Sequence, residues 1–264
     1  MLRRWSRQVI VALAPDRLSA LLVGGIGRRR LLDRQAISLP TLTNSWETTL
    51  PALEELFSES AWRGHRLHIV LSNHYVHYQA LARSKGLTSG EILKLAAVQF
   101  AETYGELAAD WDIRISPPSR DGSTLACGVP SGLLAALRSS CEKKARLISV
   151  RPALMPFFNH IRPMIGRSAG YMALIENGRL SIAVLEDGHW LSVSSRAGGH
   201  ARLPQMLLEE SELHQRLPGG LIWVCDLTGK AKLPSDPAWS SRLITPPGIP
   251  GLASQPDLAN WGLA

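Results

Sequence analysis

The chain has 264 residues, 45% of them apolar and 19% charged, and carries a formal net charge of +7. That length holds one large domain or two small ones around a buried core, and the composition excludes wholesale disorder. The charge comes from 23 Arg and 6 Lys. It allows nucleic acid, anionic lipid or an acidic protein as a partner, or reflects Arg-rich coding alone. No dense Lys/Arg run with interleaved aromatics exists, Arg28-Arg29-Arg30 being the one triplet, which argues against nucleic acid. Cys127, Cys141 and Cys225 are widely spaced and form no CxxC, so a disulfide framework or zinc site is not expected and a reduced compartment is. The opening MLRRWSRQVIVALAP imitates a signal peptide, but Asp16 and Arg17 interrupt it, and no 18-residue apolar span follows. The expectation is a cytoplasmic protein with no transmembrane segment.

The first forty residues read as three strands, at 8–14, 18–24 and 31–39, turned by Pro15-Asp16-Arg17 and by the glycines at 24, 25 and 27. Asn44 or Ser45 then caps a helix to about Trp62, with Leu50, Leu53, Leu56 and Phe57 as its apolar stripe. Strands are predicted at 66–72 and 75–81. Thr88-Ser89-Gly90-Glu91 is a capping-box pattern, opening a helix with Ile92, Ala96, Phe100 and Tyr104 on one face. Strands at 111–116 and 124–129, separated by a loop at 117–122, precede a helix at 132–143 with Leu133, Leu137 and Cys141 along one side. A strand at 146–150 leads into a helix at 151–165 that Pro156 and Pro163 bound or kink.

Tyr171 to His200 reads as a three-stranded meander, folded back at Glu176-Asn177-Gly178 and Glu186-Asp187-Gly188. Asn-Gly and Asp-Gly between alternating apolar runs signal tight hairpins, because both turn positions then need positive φ. A helix near 204–215 and the apolar strand 220–226 follow, Trp223 being a core candidate. The remainder, rich in Pro, Gly and Ser, offers one short strand at 242–244 and is otherwise read as loose. Three strands followed by a helix thus occur twice, at about 8–62 and 171–215.

This order resembles the actin-like ATPase superfamily, and within it the PilM family of type IV pilus assembly proteins and the related MshI. The cytoplasmic part of the type II secretion protein GspL is a more distant relative. The residues that carry the resemblance are VIVALAPDRLSALLV at 9–23, ARLISVRPALMPFFN at 145–159 and ALIENGRLSIAVLEDGHWLSVSSRAGG at 173–199. It implies an α/β fold of the actin-like, RNase H-like duplicated kind, with two mixed-sheet lobes and a small α/β insert in the first. The expected division is a first lobe at 1–87, the insert at 88–145, a second lobe at 146–245 and an extended or disordered tail at 246–264. The resemblance further implies a PilN-like inner-membrane partner, offering a short cytoplasmic peptide to a groove beside the insert, and a peripheral place at that membrane.

The chain departs from the family where phosphate chemistry belongs. Actin-like phosphate loops use an Asp to organise a metal-bound water, then Gly and small hydroxyl residues whose amides cradle phosphate. The resemblance places the first Asp position on Ala12 and the Gly-Ser region on Ala14-Pro15, where proline removes an amide donor. Asp16 reads as a turn former rather than a metal ligand. The second Asp position falls on Ile175, with Glu176-Asn177-Gly178 a plain turn; Arg179 could meet a phosphate but reads as an exposed cross-strand residue. No GxxxxGK[ST] replaces these loops. The expectation is a non-hydrolysing protein with no cofactor and no catalytic or metal-binding residue; an active ATPase of the same fold is the alternative.

Other candidates are weighed on residue type alone. His65, His68, His74 and His77 cluster in sequence but lack an HxH or HExxH spacing. Ser194, Ser195, His189 and Asp187 have the residue types of a hydrolytic triad but no GxSxG elbow. Glu209, Glu210 and Glu212 read as a solvated acidic helix face. Trp5, beside Arg3, Arg4 and Arg7, could touch a membrane surface. The glycines at 24, 25 and 27 join two strands, which does not support a dinucleotide fingerprint.

Overall fold

The computed structural model describes residues 7–25, 29–40, 45–81, 86–117, 122–166, 169–215, 219–230, 233, 236–246 and 257–263. Asn44, Arg28, Gly27, Trp5 with Arg3 and Arg4, and most of the 117–122 loop lie outside the described residues. In chain order the protein forms strands β1 (Gln8–Ala14), β2 (Arg17–Gly24) and β3 (Arg30–Ser38), helix α1 (Thr49–Leu56), then β4 (Arg66–Leu71) and β5 (His77–Leu81). Helix α2 (Ser89–Tyr104), strands β6 (Trp111–Ile115) and β7 (Thr124–Pro130), helix α3 (Ser131–Cys141), β8 (Arg146–Pro152) and α4 (Leu154–Ile165) follow. The last stretch holds β9 (Gly170–Glu176), β10 (Arg179–Glu186), β11 (His189–Ala197), α5 (Leu203–Leu213), β12 (Gly220–Asp226) and β13 (Trp239–Leu243).

Two compact units divide the chain, one of residues 1–75, 132–157 and 245–264, the other of 76–131 and 158–244. Each is built on the same five-stranded mixed sheet. The first has strand order β3-β2-β1-β4-β8 and the second β11-β10-β9-β12-β13. In both, an antiparallel meander is followed by two strands parallel to its first. The duplicated α/β architecture expected from the sequence is therefore present. The second unit also holds a small antiparallel sheet, β5-β7-β6. It draws on β5, ahead of the insert predicted at 88–145, while most of α3 belongs to the first unit.

The strand runs are nearly continuous in apolar residues because both faces are covered. In the first sheet Val9, Val11 and Leu13 lie on one face and Ile10 and Ala12 on the other, and all are at most 2% exposed. Helix α2 starts as predicted: the Thr88 hydroxyl accepts from the Glu91 amide, and the Glu91 carboxylate accepts from the Thr88 amide at 2.7 Å. Ile92, Ala96 and Phe100 are its buried stripe. Helix α1 is shorter than predicted. Trp46–Thr48 and Ser60–Trp62 are 3-10 turns on either side of it, and neither Ser45 nor Thr48 caps a backbone amide with its side chain.

The two meander turns of the second unit differ. Asp187 (φ 51°) and Gly188 (φ 76°) both adopt the left-handed conformation, as the hairpin signal requires. At Asn177-Gly178 only the glycine does (φ 74°). The C-terminal segment departs most from expectation. Leu258–Leu263 forms a 3-10 helix against β1, β2 and β4, with Trp261 fully buried and its ring centroid 5.2 Å from that of Phe157. Asp257 pairs with Arg34 at 3.1 Å, and Arg151 donates to the Gly262 carbonyl at 3.2 Å.

Candidate functional site: two closed hairpin turns

The positions where an actin-like protein would grip phosphate are the β1–β2 and β9–β10 turns, one in each unit. In the first, Ala14 pairs with Arg17, which leaves Pro15-Asp16 as a two-residue turn. Pro15 is buried and offers no amide. The Asp16 carbonyl accepts the Leu39 amide at 2.8 Å, and the Leu13 carbonyl accepts that of Ser72 at 2.9 Å. Ala12 is 2% exposed, paired with Ser19 on one side and Val70 on the other. No carboxylate issues from the strand position that would organise a metal-bound water.

The second turn has the same frame. Glu176 pairs with Arg179 around Asn177-Gly178, and Ile175 is buried in the apolar core with Ile182, Met206 and Val224. Two buried carboxylates stand beside it. Glu176 is 5% exposed, and Asp226, at the end of β12 opposite Ile175, is 6% exposed. Asp226 Oδ1 accepts from the amide and hydroxyl of Thr228 at 2.8 and 2.7 Å. The sequence reading ended an apolar strand on Asp226 but gave it no role, because its place beside this turn comes from the long-range pairing of β12 with β9.

Arg179 reaches across to the neighbouring strand as expected, but it is not exposed. It is half-buried, donates to Ser195 Oγ at 3.3 Å and stands by an aromatic cluster from the small sheet. There the His77 ring stacks on Trp111 at 4.1 Å and meets Tyr104 edge-on at 4.8 Å. Burial lowers the Arg179 pKa while Glu176 and Tyr104 oppose the shift. Burial, reinforced by Arg179, lowers the His77 pKa to about 4. Burial raises that of Tyr104. The exposed site was misread because β5 runs beside β11, a long-range neighbour that no local pattern announces.

The remaining candidates separate. His65 Nε2 lies 3.1 Å from the Ala61 carbonyl, His68 Nδ1 lies 2.9 Å from Ser149 Oγ, and His77 is in the aromatic stack. Among the described residues no group of three His, Cys, Asp or Glu side chains is placed to hold a metal. The triad residues do not meet. Asp187 and His189 sit at the β10–β11 turn, whereas Ser194 lies five residues further along β11, about 16 Å at strand rise. Ser195 Oγ is 2.9 Å from Ser181 Oγ, and Ser194 donates to Glu210. Glu210 itself is a correction. It is 2% exposed, not solvated, because α5 buries Leu203, Met206, Leu207, Glu210 and Ser211 on one face. Its carboxylate also accepts from Ser192 at 2.8 Å, and His214 Nε2 lies 2.8 Å from the same Ser192 hydroxyl. One imidazole nitrogen thus faces both groups, which is a structural network and not a relay with a free nucleophile.

No protein-family model matches the sequence, and no curated protein does. Solved structures do match, at identities low enough that the likeness shows the fold alone. A Bacteroides thetaiotaomicron protein with an actin-like ATPase fold and unknown function superposes with a TM-score of 0.61 at 13% identity, covering 89% of this chain and 85% of that one. The cytoplasmic domain of EpsL, an inner-membrane component of the Vibrio cholerae type II secretion system, gives 0.60 at 12% identity, covering 98% and 93%. The PilM–PilN type IV pilus biogenesis complex gives 0.61 at 13%, covering 83% and 81%. The fold is actin-like, and its structural neighbours include the groups that the sequence resembles.

Proposed function

We propose that this protein is a non-hydrolysing actin-like scaffold in the assembly of a type IV pilus or a type II secretion-like machine. It works on the cytoplasmic side of the inner membrane and docks a PilN-like membrane partner through a short cytoplasmic peptide of that partner. The observation that carries the non-enzymatic half is the state of the two turns. Ala12 and Ile175 stand where the metal-organising carboxylates belong, and Pro15 removes an amide donor. The likeness in fold to a PilM–PilN complex and to the EpsL cytoplasmic domain supports the assembly half. No helix among the described residues is long and apolar enough to cross a membrane, in keeping with attachment through a partner.

The enzymatic half is tested by phosphate release from ATP with and without Mg²⁺. The rate is expected to match that of heat-denatured protein, and a Mg²⁺-dependent rate well above it makes the protein an active ATPase. The docking half is tested by titrating a synthetic cytoplasmic N-terminal peptide of a PilN-like membrane protein from the same genome. Saturable binding is expected, and its absence removes this partner class.

A further inference from the structure

The chain's positive charge is not spread evenly. Strands β1, β4 and β8 are parallel and begin at one end of the first unit's sheet, where β2 ends and β3 begins. At that end Arg7 precedes β1, and Arg29 and Arg30 open β3. Arg63 and Arg66 flank the start of β4, while Lys143, Lys144 and Arg146 lead into β8. All eight are exposed except Lys144, which is half-buried. The acidic residues beside them in the chain are Asp33, Glu59 and Glu142. Arg63 turns its guanidinium to the carbonyls of Phe57 and Ser58. The potential reaches inward: burial, then Arg151, Arg66 and Arg29, hold the His68 pKa below its ordinary value.

We infer that this end of the sheet is a face that binds an anionic phospholipid bilayer directly. Five strand ends at 4.7–4.9 Å spacing make a front about 19 Å wide, and its cations come from four separate chain segments, not from a row along one groove. A broad front of this kind suits a plane of headgroups. Leu32 and Ile148, 41% and 36% exposed, stand among the cations and supply apolar side chains for the interface. The Leu32 side chain lies over Gly24, beside Arg7, in a space a Cβ at Gly24 would fill at 2.8 Å. Among the described residues nothing at this end favours nucleic acid, since Phe57 and Trp62, the aromatics described there, are at most 1% exposed and offer no stacking platform. This inference deepens the membrane placement proposed above by naming the surface and its ligand, and it requires no partner protein.

The test is flotation of the full chain with vesicles of phosphatidylcholine alone or mixed with phosphatidylglycerol. Binding is expected only to the mixed vesicles, and it weakens as ionic strength rises from about 0.01 to about 0.15 M, where the screening length shortens from about 30 to about 8 Å. Each cation near an anionic surface is worth about fivefold in affinity. The triple variant Arg30→Glu, Arg66→Glu, Arg146→Glu should therefore lose at least about a hundredfold, while Lys94→Glu on α2 binds as the parent does. Circular dichroism and thermal melting confirm that the triple variant is folded. The triple Gln variant, which removes charge without reversing it, should fall between it and the parent. The inference is overturned if the mixed vesicles do not bind, or if the triple variant binds them as well as Lys94→Glu. Capture of duplex DNA or polyglutamate by the same residues without flotation also overturns it. With no partner peptide in the assay, a negative result leaves the docking titration to be judged separately.

Discussion

At Glu210 one buried carboxylate holds the hydroxyls of Ser192 and Ser194 beneath His214. Truncating it removes the acceptor of two half-buried hydroxyls, of which Ser192 keeps His214 within reach and Ser194 loses its bond, a cost of about 1–3 kcal/mol. Glu210→Ala should lower the urea midpoint accordingly, with little change for Glu212→Ala on the exposed side. His77 gives a pH dependence. Its folded pKa is about 4 against 6.5 for the free side chain, so between those values the unfolded chain binds the proton and the folded one does not. Stability from this group is therefore complete above about pH 6.5 and is lost as pH falls towards 4. His77→Phe keeps a ring on Trp111 and should flatten the stability profile over that window, measured by denaturant unfolding at each pH. Neither environment was legible in the sequence, where Glu210 is one of three acids on a helix and His77 one of four nearby histidines. Residue type is local, but burial is decided by what packs across.

Among the elements, the capping box of α2 was read correctly because both reciprocal bonds lie within four residues. Thr88→Ala should cost about 1 kcal/mol of stability. The C-terminal 3-10 helix was not legible. It is only six residues long, follows a stretch rich in Pro and Gly, and shows no helical period. Its existence depends on the sheet face it covers. Trp261→Ala should cost about 3–5 kcal/mol by leaving a cavity beside Phe157. Gly262→Ala should also destabilise, by about 1–3 kcal/mol, since the new methyl would lie 2.2 Å from Ile10 Cγ2. If equilibrium unfolding of both variants matches the parent, the segment is not held as described. The β9–β10 turn shows the limit of dipeptide rules. Asn177-Gly178 marked the hairpin, yet only Gly178 takes positive φ, so the signal located the turn without specifying its type.

For the whole molecule, the closed turns make a thermodynamic statement. A ligand that binds only the folded state at a hundred times its dissociation constant adds about 2.7 kcal/mol. Saturating MgATP should leave the melting temperature where it is, and a saturable rise would show that a nucleotide site persists despite Pro15 and Ile175.

The strand order and its duplication were visible in the chain, because alternating apolar runs and tight turns are short-range features that each segment states for itself. So was the absence of carboxylates at Ala12 and Ile175. Which parts of the chain share a unit was decided only in three dimensions. The small sheet recruits β5, α3 packs with the first unit, and the last residues return to cover β1. The same holds for Arg179 against the aromatic cluster and for cations from distant segments at one sheet end. These depend on strand register and on surfaces brought together across long loops, and such partners leave no periodic trace in the sequence of either one.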